Sequence, residues 1–192
     1  MTQKLTKDEK STPSSPDKSK GKHPVIPMAH YNLGLINLKM GNNQQALEYL
    51  KKAIESFIAN FGEIDMHVSD TFEAIGETLY RMGIFKDSYD FLMKSYKIML
   101  KIIEDLYSSE EESFDESKQV KLQVRLAFIL DKMGIVAQMR ANQKGEADDD
   151  DQEFWKEQAG LYFTQSLELK SEVFGDHPHT ADTHFNLGKY YT

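Results

Sequence analysis

The chain has 192 residues, 40% of them hydrophobic, no cysteine, and a formal net charge of −8 at pH 7. This apolar content is enough for a buried core, whereas no apolar run approaches the ~18–20 residues that a bilayer-spanning helix needs. The lack of cysteine excludes disulfides, thiolate metal sites and cysteine nucleophiles, and it favours a soluble protein of the cytoplasm or another reducing compartment.

The N-terminal segment, residues 1–27, is rich in lysine, serine and proline and holds six lysines against three acids. It has too few apolar residues to offset the entropy lost on ordering, so we expect a disordered tail. It also lacks the apolar stretch of a secretory signal and the arginines of a transit peptide. The folded part is therefore predicted to span residues 28–192.

Three segments of the folded part share one pattern, in which an apolar residue precedes a very small one and Met-Gly follows. Gly34 and Gly76, the small residues of the first two segments, are 42 residues apart. A fixed period of this length is typical of stacked supersecondary units. The segments are Asn32-Leu33-Gly34 with Met40-Gly41, Ala74-Ile75-Gly76 with Met82-Gly83, and Arg125-Leu126-Ala127 with Met133-Gly134, and a fourth begins as Asn186-Leu187-Gly188.

Each unit is predicted to be a helical hairpin. In the first, apolar residues at spacings of three and four lead to Gly41, where a left-handed cap would end the helix, and a second helix starts near Asn43. Small residues at the crossing point let the two backbones approach closely. These residues and the bulky ones beside them are Gly34, Ala46 and Ala53 in the first unit, Gly76, Ser88, Leu92 and Ser95 in the second, and Ala127, Ala159, Phe163 and Ser166 in the third.

Two acidic segments interrupt the pattern. The second helix of the second unit is predicted to run from Phe85 to about Tyr107 and is followed by an acidic segment at 108–118. In the third unit the apolar series continues through Gly134, so we expect one helix to about Arg140, an acidic loop at 142–151 and a new helix near Glu153. The acidic segments at 108–118 and 142–153 carry most of the net charge, and the remaining body lacks the basic surface that nucleic-acid binding needs.

The spacing of Gly34, Ala46, Leu50 and Ala53 resembles that of the tetratricopeptide repeat. The links at 61–67 and 174–181, the latter with Gly-Asp-His-Pro, resemble those of kinesin-light-chain and nephrocystin-3-like repeats of 42 residues. The resemblance covers about residues 28–192 and implies an all-α, right-handed solenoid of three hairpins plus a final unpaired helix. Thr192 lies inside the first helix of a fourth unit, so that helix either serves as the polar cap of the solenoid, belongs to a longer protein, or is covered by another chain or domain. Gly188 favours the last two, because a cap does not need a residue that allows close approach.

In this family, partner proteins lie in a concave groove lined by the first helix of each hairpin. The resemblance therefore implies a groove that binds an extended peptide or a helix. Among its residues, Asn32 and Asn186 are the best candidates for pairing with a peptide backbone, since an amide both donates and accepts. The residues assigned to the groove are Asn32, Lys39, Arg81, Lys121, Arg125, Asn186 and Lys189.

The sequence also contains an acidic run and a group of histidines outside the predicted groove. The acidic run Asp148, Asp149, Asp150 and Asp151 is either a solvated loop or a docking site for a basic partner. The histidines at 177, 179 and 184 match no metal motif, and no phosphate loop, nucleophile elbow or other catalytic motif is present, so we expect no metal, no cofactor and no enzymatic activity.

The predicted function is that of a scaffold or adaptor for other proteins. Its leading context is cytoplasmic, in cytoskeletal assemblies linked to kinesin or the cilium, by resemblance alone. A co-chaperone clamp is one alternative, because Lys121 and Arg125 match its basic pair, although Tyr31, Leu35 and Ala74 do not match its other positions. A regulatory part of a larger multidomain protein is another.

Overall fold

The computed structural model describes residues 25–108, 116–143 and 149–190, with only the backbone at 149 and 150. Within these ranges the chain forms seven α-helices and no strand, and none of the helices is long and apolar enough to cross a membrane. The helices are α1 (Val25–Lys39), α2 (Asn43–Phe61), α3 (Met66–Arg81), α4 (Phe85–Ser108), α5 (Glu116–Ala141), α6 (Asp149–Phe174) and α7 (Pro178–Tyr190).

The helices form hairpins that stack in chain order. The helices α1 and α2, α3 and α4, and α5 and α6 pair as hairpins, and α7 packs on α6 without a hairpin partner among the described residues. The first helices (α1, α3, α5, α7) approach one another within 8 Å between Cα atoms, whereas α2, α4 and α6 do not. The predicted all-α hairpin array is thereby confirmed. The first helices form the more closely spaced face, called the A face, and the second helices form the B face.

Two of the turns depend on glycine in the left-handed region of φ. Gly41 (φ +80°) follows α1 and Gly83 (φ +77°) follows α3. Residues with side chains rarely adopt this conformation, and it turns the chain into the next helix. The left-handed cap predicted at Gly41 is confirmed. The prediction that the third unit has no cap at Gly134 is also confirmed, since α5 continues to Ala141.

The helix crossings show where the alignment of the third unit was wrong. A Cβ atom on Gly34 would lie 2.7 Å from Leu50 Cγ, and one on Gly76 would lie 2.8 Å from Leu92 Cγ. The equivalent crossing of the third hairpin is at Gly134, where a Cβ would lie 2.6 Å from the Phe163 ring. The sequence pattern had placed Ala127 there.

The physical reason for this error is that seven residues make nearly two helical turns. A shift of seven residues along α5 therefore preserves the face of the helix and changes only the height at which the helices cross. Ala127 lies near the start of the repeat instead, where its carbonyl accepts a hydrogen bond from Ser166 Oγ at 2.8 Å. Ser69 and Ser95 form the corresponding contact in the second hairpin, 2.9 Å between their hydroxyls.

Two predicted boundaries also change. The helix α1 begins at Val25, inside the segment assigned to the N-terminal tail, while residues 1–24 lie outside the described ranges. The helix α6 begins at Asp149, four residues before the predicted start near Glu153. The backbone from Asp149 to Asp151 therefore forms the first turn of a helix instead of a loop.

A buried ion pair attaches α7 to the third hairpin. Lys170 of α6 is 1% exposed and pairs with Asp131 of α5. Its ammonium also donates to Thr183 Oγ1 of α7 at 2.9 Å, and this hydroxyl lies 3.0 Å from Asp131 Oδ1. The repeat-equivalent positions of the first two hairpins hold Phe57 and Met99, so a charged network here replaces an apolar contact.

Candidate functional site

The seven residues assigned to the groove are spread over the four helices of the A face. Asn32 and Lys39 are exposed on α1, Lys121 is exposed on α5, and Asn186 is half-buried on α7. Lys189 is exposed and its ammonium lies 4.3 Å from the Phe185 ring. These side chains remain accessible to a partner.

Arg81 and Arg125 bind to the protein itself. Arg81 Nη1 donates to the carbonyl of Leu38 at 3.0 Å, which also accepts the Gly41 N–H, and Arg81 Nη2 lies 2.7 Å from Glu77 Oε1. Arg125 forms an ion pair with Asp70. Both arginines thus join neighbouring helices of the A face. Arg125 also lies two turns further towards the N-terminus of its repeat than the predicted alignment placed it.

The alignment change also bears on the co-chaperone clamp. With Gly134 at the crossing, the clamp positions of the third unit fall on Phe128 and Lys132, and no longer on Lys121 and Arg125. Phe128 packs edge-on against His179, with ring centroids 5.1 Å apart, so it offers no cationic group. The basic pair that suggested the clamp is therefore absent from the clamp positions.

A charged network that the sequence pattern did not single out lies in the middle of the A face. Lys132 Nζ of α5 lies 2.8 Å from Glu73 Oε1 and 2.8 Å from Glu77 Oε2, both on α3. The spacing of four residues between the glutamates indicates that they share one side of a helix. Their lysine partner could not be found from the sequence, because the α5 alignment was seven residues out.

The network keeps its groups charged despite partial burial. Burial alone would raise the pKa of Glu77, but Lys132 and Arg81 outweigh it and hold this pKa below its ordinary value. Burial likewise would lower the pKa of Lys132, and the two glutamates instead raise it. Burial raises the pKa of the nearby Tyr31 of α1, and the Glu73 charge adds to this effect. The two carboxylates of the network, on Glu73 and Glu77, thus face two cationic side chains, on Lys132 and Arg81.

Beside this network, a cavity opens between α3 and α5. Its volume is about 220 Å³. A cavity of ~150 Å³ is enough to hold a benzene molecule, so a large apolar side chain fits here. The apolar part of the lining is contributed by three helices, and three charged residues of the network complete it. The lining residues are Tyr80, Leu92, Ile135 and Val136, with Glu77, Arg81 and Lys132.

His177 and His179, at the start of α7, make contacts that explain them as structural side chains. His177 Nδ1 accepts the backbone N–H of His179 at 3.2 Å, just as Asp65 accepts that of His67 at 2.8 Å before α3. The His177 ring stacks on Phe174, with centroids 5.2 Å apart. Within the described ranges, no three His, Asp or Glu side chains are grouped as a metal site requires.

The acidic run and Trp155 lie around the start of α6. Asp148 and the side chains of Asp149 and Asp150 lie outside the described part, and Asp151 is exposed. Trp155 packs against Tyr89, with centroids 4.8 Å apart, and the Arg140 guanidinium lies 3.7 Å from its ring centroid. Trp155 is thus a packing residue between α4, α5 and α6.

Comparison with known proteins agrees with this geometry. Residues 27–56, which include most of α1 and most of α2, match the tetratricopeptide repeat. The second and third hairpins repeat the glycine crossing of the first. The match to the tetratricopeptide repeat thus falls on the first hairpin, and the second and third hairpins share its crossing geometry, in agreement with the all-α hairpin fold that the sequence predicted. No curated protein sequence matches the chain.

Similar solved structures are only distantly related in sequence. BtubC (BKLC) from P. vanneervenii is 10% identical, with a TM-score of 0.43 over 91% of this chain and 66% of that chain. A putative kinesin light chain of Podosopora anserina with nearly identical TPR-like repeats is 12% identical, with a TM-score of 0.41 over 88% of this chain and 87% of its own. A variant of that Podosopora anserina protein is 11% identical, with a TM-score of 0.41 over 88% of this chain and 86% of its own.

Proposed function

We propose that the chain is a scaffold or adaptor that binds an extended peptide or a helix of another protein along the A face. The cavity between α3 and α5 is the observation that carries this proposal, because it is open, largely apolar and large enough for one side chain of a partner. The exposed amide of Asn32 and the half-buried amide of Asn186 lie on α1 and α7, on either side of it in chain order.

The cavity supplies the anchor, and the network beside it supplies polar contacts. An apolar side chain entering the cavity loses its contact with water, which contributes about 1.5–3 kcal/mol for a Leu- or Phe-sized group. Because Glu73 and Glu77 are balanced by Lys132 and Arg81, the rim favours neutral peptide groups over a strongly charged segment. The bound residue is then selected mainly by size and apolarity.

The cellular context is a finer proposal, which depends on the sequence resemblance alone. The Gly-Asp-His-Pro link before α7 resembles kinesin-light-chain-type repeats. We therefore place the scaffold in the cytoplasm, in cytoskeletal or ciliary assemblies. The alternative is that the chain is a regulatory part of a larger multidomain protein. A separate hypothesis is that a basic partner protein binds to the acidic run Asp148 to Asp151.

The groove is tested with two variants and a matched control. Ile135→Arg places a charged side chain in the cavity, and Asn32→Ala with Asn186→Ala removes the two amides. Ile36→Arg introduces the same side chain at a 52% exposed position of α1 that does not line the cavity. In quantitative affinity purification, we expect each groove variant to recover at least about tenfold less partner, equivalent to ~1.4 kcal/mol, while Ile36→Arg recovers as much as the unaltered chain.

Circular dichroism establishes that every variant keeps its helices. If both groove variants retain all partners, the A face is not the binding site. If partners are lost instead when Asp148 to Asp151 are changed to Asn, the acidic run is the site.

A further inference from the structure

The B face contains two cavities of equal size that lie at equivalent places in successive repeats. We call them the first and second seam cavities, and each has a volume of about 330 Å³. The first lies among α2, α3, α4 and the α2–α3 link, and the second lies among α4, α5 and α6. The first is lined by Ile58, Glu63, Ile64, Phe72, Lys94, Lys97 and Ile98. The second is lined by Tyr96, Leu126, Leu130, Gln165, Glu168, Leu169 and Glu172.

The equivalence follows from the helix crossings. Phe72 precedes the crossing glycine Gly76 by four residues, and Leu130 precedes Gly134 by the same distance. On the second helix of each hairpin, the residues two, five and six positions after the crossing side chain line the cavity. They are Lys94, Lys97 and Ile98 after Leu92, and Gln165, Glu168 and Leu169 after Phe163.

Both cavities have apolar residues in their lining, although the lining of the first is more apolar than that of the second, and the charges at the rims are opposite. Lys94 and Lys97 border the first seam cavity together with Glu63, whereas Glu168 and Glu172, one helical turn apart, border the second. None of these residues forms an ion pair in the described part of the chain. Lys94 instead lies over the rings of Phe91 and Phe72, 4.7 and 5.6 Å from their centroids.

Both cavities are open because of the way the hairpins stack. The second helices α2, α4 and α6 stand further apart than the first helices, so each seam between them has a gap on the B face. Near the start of α4 the seam to α6 is closed by Tyr89 and Tyr162, whose hydroxyls are 2.6 Å apart. The open part with Glu168 and Glu172 lies further along these helices.

We infer that the B face binds a second partner segment, which carries two apolar anchors, one flanked by acidic residues and the other by basic residues. One anchor enters each seam cavity, with the acids facing Lys94 and Lys97 and the bases facing Glu168 and Glu172. Opposite rim charges fix the direction of the segment, since the reversed orientation brings like charges together. This surface is separate from the groove of the A face, so both partners can bind at once.

The test uses two synthetic peptides and the full chain with ¹³C-labelled Ile and Leu methyl groups. The acidic probe has one Phe among glutamates, and the basic probe has one Phe among lysines. By NMR we expect the acidic probe to shift methyl signals of Ile58, Ile64 and Ile98, and the basic probe to shift those of Leu126, Leu130 and Leu169. A peptide that links the two probes should bind at least about tenfold more tightly than either, because the second contact becomes intramolecular.

Charge reversal at exposed rim residues provides the control. Lys97→Glu should weaken the acidic probe about tenfold and Glu168→Lys should weaken the basic probe about equally, because each change removes the excess charge of its rim. Lys86→Glu and Glu157→Lys make the same charge changes elsewhere on α4 and α6, and should leave both affinities unaltered. Circular dichroism verifies folding in each case.

Three results would overturn the inference. The first is that neither probe shifts the cavity methyl groups, or that charge reversal leaves their affinities unchanged. The second is that the probes shift Ile135 and lose affinity in the Ile135→Arg variant, which assigns them to the A-face groove. The third is that the cavity signals depend on protein concentration without probe and light scattering gives twice the monomer mass, which assigns the seam to a second copy of the chain.

Discussion

At the scale of single residues, three glycines decide how closely the helices of each hairpin can pack. At Gly34, Gly76 and Gly134, an added Cβ would lie less than 3 Å from a side chain of the partner helix. The neighbour at Gly134 is the ring of Phe163, which is fully buried. Gly188 of α7 has the same sequence context as Gly34, yet nothing lies within 4 Å of the position its Cβ would take.

We expect Gly134→Ala to lower the free energy of unfolding by about 1–3 kcal/mol, because the added methyl group overpacks the crossing. If Ala127 were the crossing residue, the same change would stabilise the helix by about 0.5–1 kcal/mol instead. Urea denaturation distinguishes the two signs. Gly188→Ala is the matched control and should cause no loss of stability.

At the scale of helices, the attachment of α7 depends on polar groups where the other hairpins use apolar ones. Phe57 and Met99 fill this position in the first two repeats, and both are fully buried. Lys170 fills it in the third and binds Asp131 and Thr183, so three helices share one buried charge pair. A buried pair of this kind adds little net stability, but losing one partner leaves an uncompensated charge.

A double-mutant cycle measures this coupling. Lys170→Met leaves Asp131 buried without its cation, and we expect the free energy of unfolding to fall by about 3–5 kcal/mol. Asp131→Leu should lower the free energy of unfolding by a similar amount, because it leaves Lys170 buried without its anion. The double variant restores an apolar contact like that of Met99, and should be close to the unaltered chain in thermal or urea unfolding. Simple additivity of the two single changes would show that the ion pair is not coupled.

At the scale of the whole molecule, charged contacts join the helices of the A face into one layer. Arg81 joins α3 to α1 through the Leu38 carbonyl, and Lys132 joins α5 to α3 through two glutamates. The B face has no such layer of ion pairs among the described residues, and its seams contain open cavities. The A face therefore has a cavity bordered by ion pairs between helices, whereas the B face has cavities without such ion pairs among the described residues.

The A-face layer makes stability depend on pH in a defined direction. The pKa of Glu77 is lower in the folded chain than its ordinary value of 4.5, so the contribution of the Glu77 carboxylate is complete above pH 4.5. It is lost as the pH falls through the lowered pKa, because the folded state must then bind a proton. Glu77→Gln should lower the free energy of unfolding by about 1–3 kcal/mol at pH 7, and by progressively less below pH 4.5, as measured by urea unfolding. Glu157→Gln, at an exposed site, should show no such convergence.

The sequence by itself determined the hairpins and most of the helix boundaries within them. The starts of α2 and α4 at Asn43 and Phe85, the cap at Gly41 and the passage of α5 through Gly134 follow from local rules. Helical periodicity, glycine conformation and small-residue spacing act over a few residues, so they can be read along the chain. The face of each helix could be predicted for the same reason.

Only the tertiary structure decided where α5 crosses its partner, and with it the composition of both candidate sites. A shift of seven residues leaves the hydrophobic pattern of a helix nearly unchanged, so the pattern alone does not separate Ala127 from Gly134. The partners of Lys132 and Lys170 lie 55 and 39 residues away along the chain, on other helices. Ion pairs and cavities between helices depend on this three-dimensional alignment, which is fixed when side chains such as Phe163 meet the one position without a Cβ.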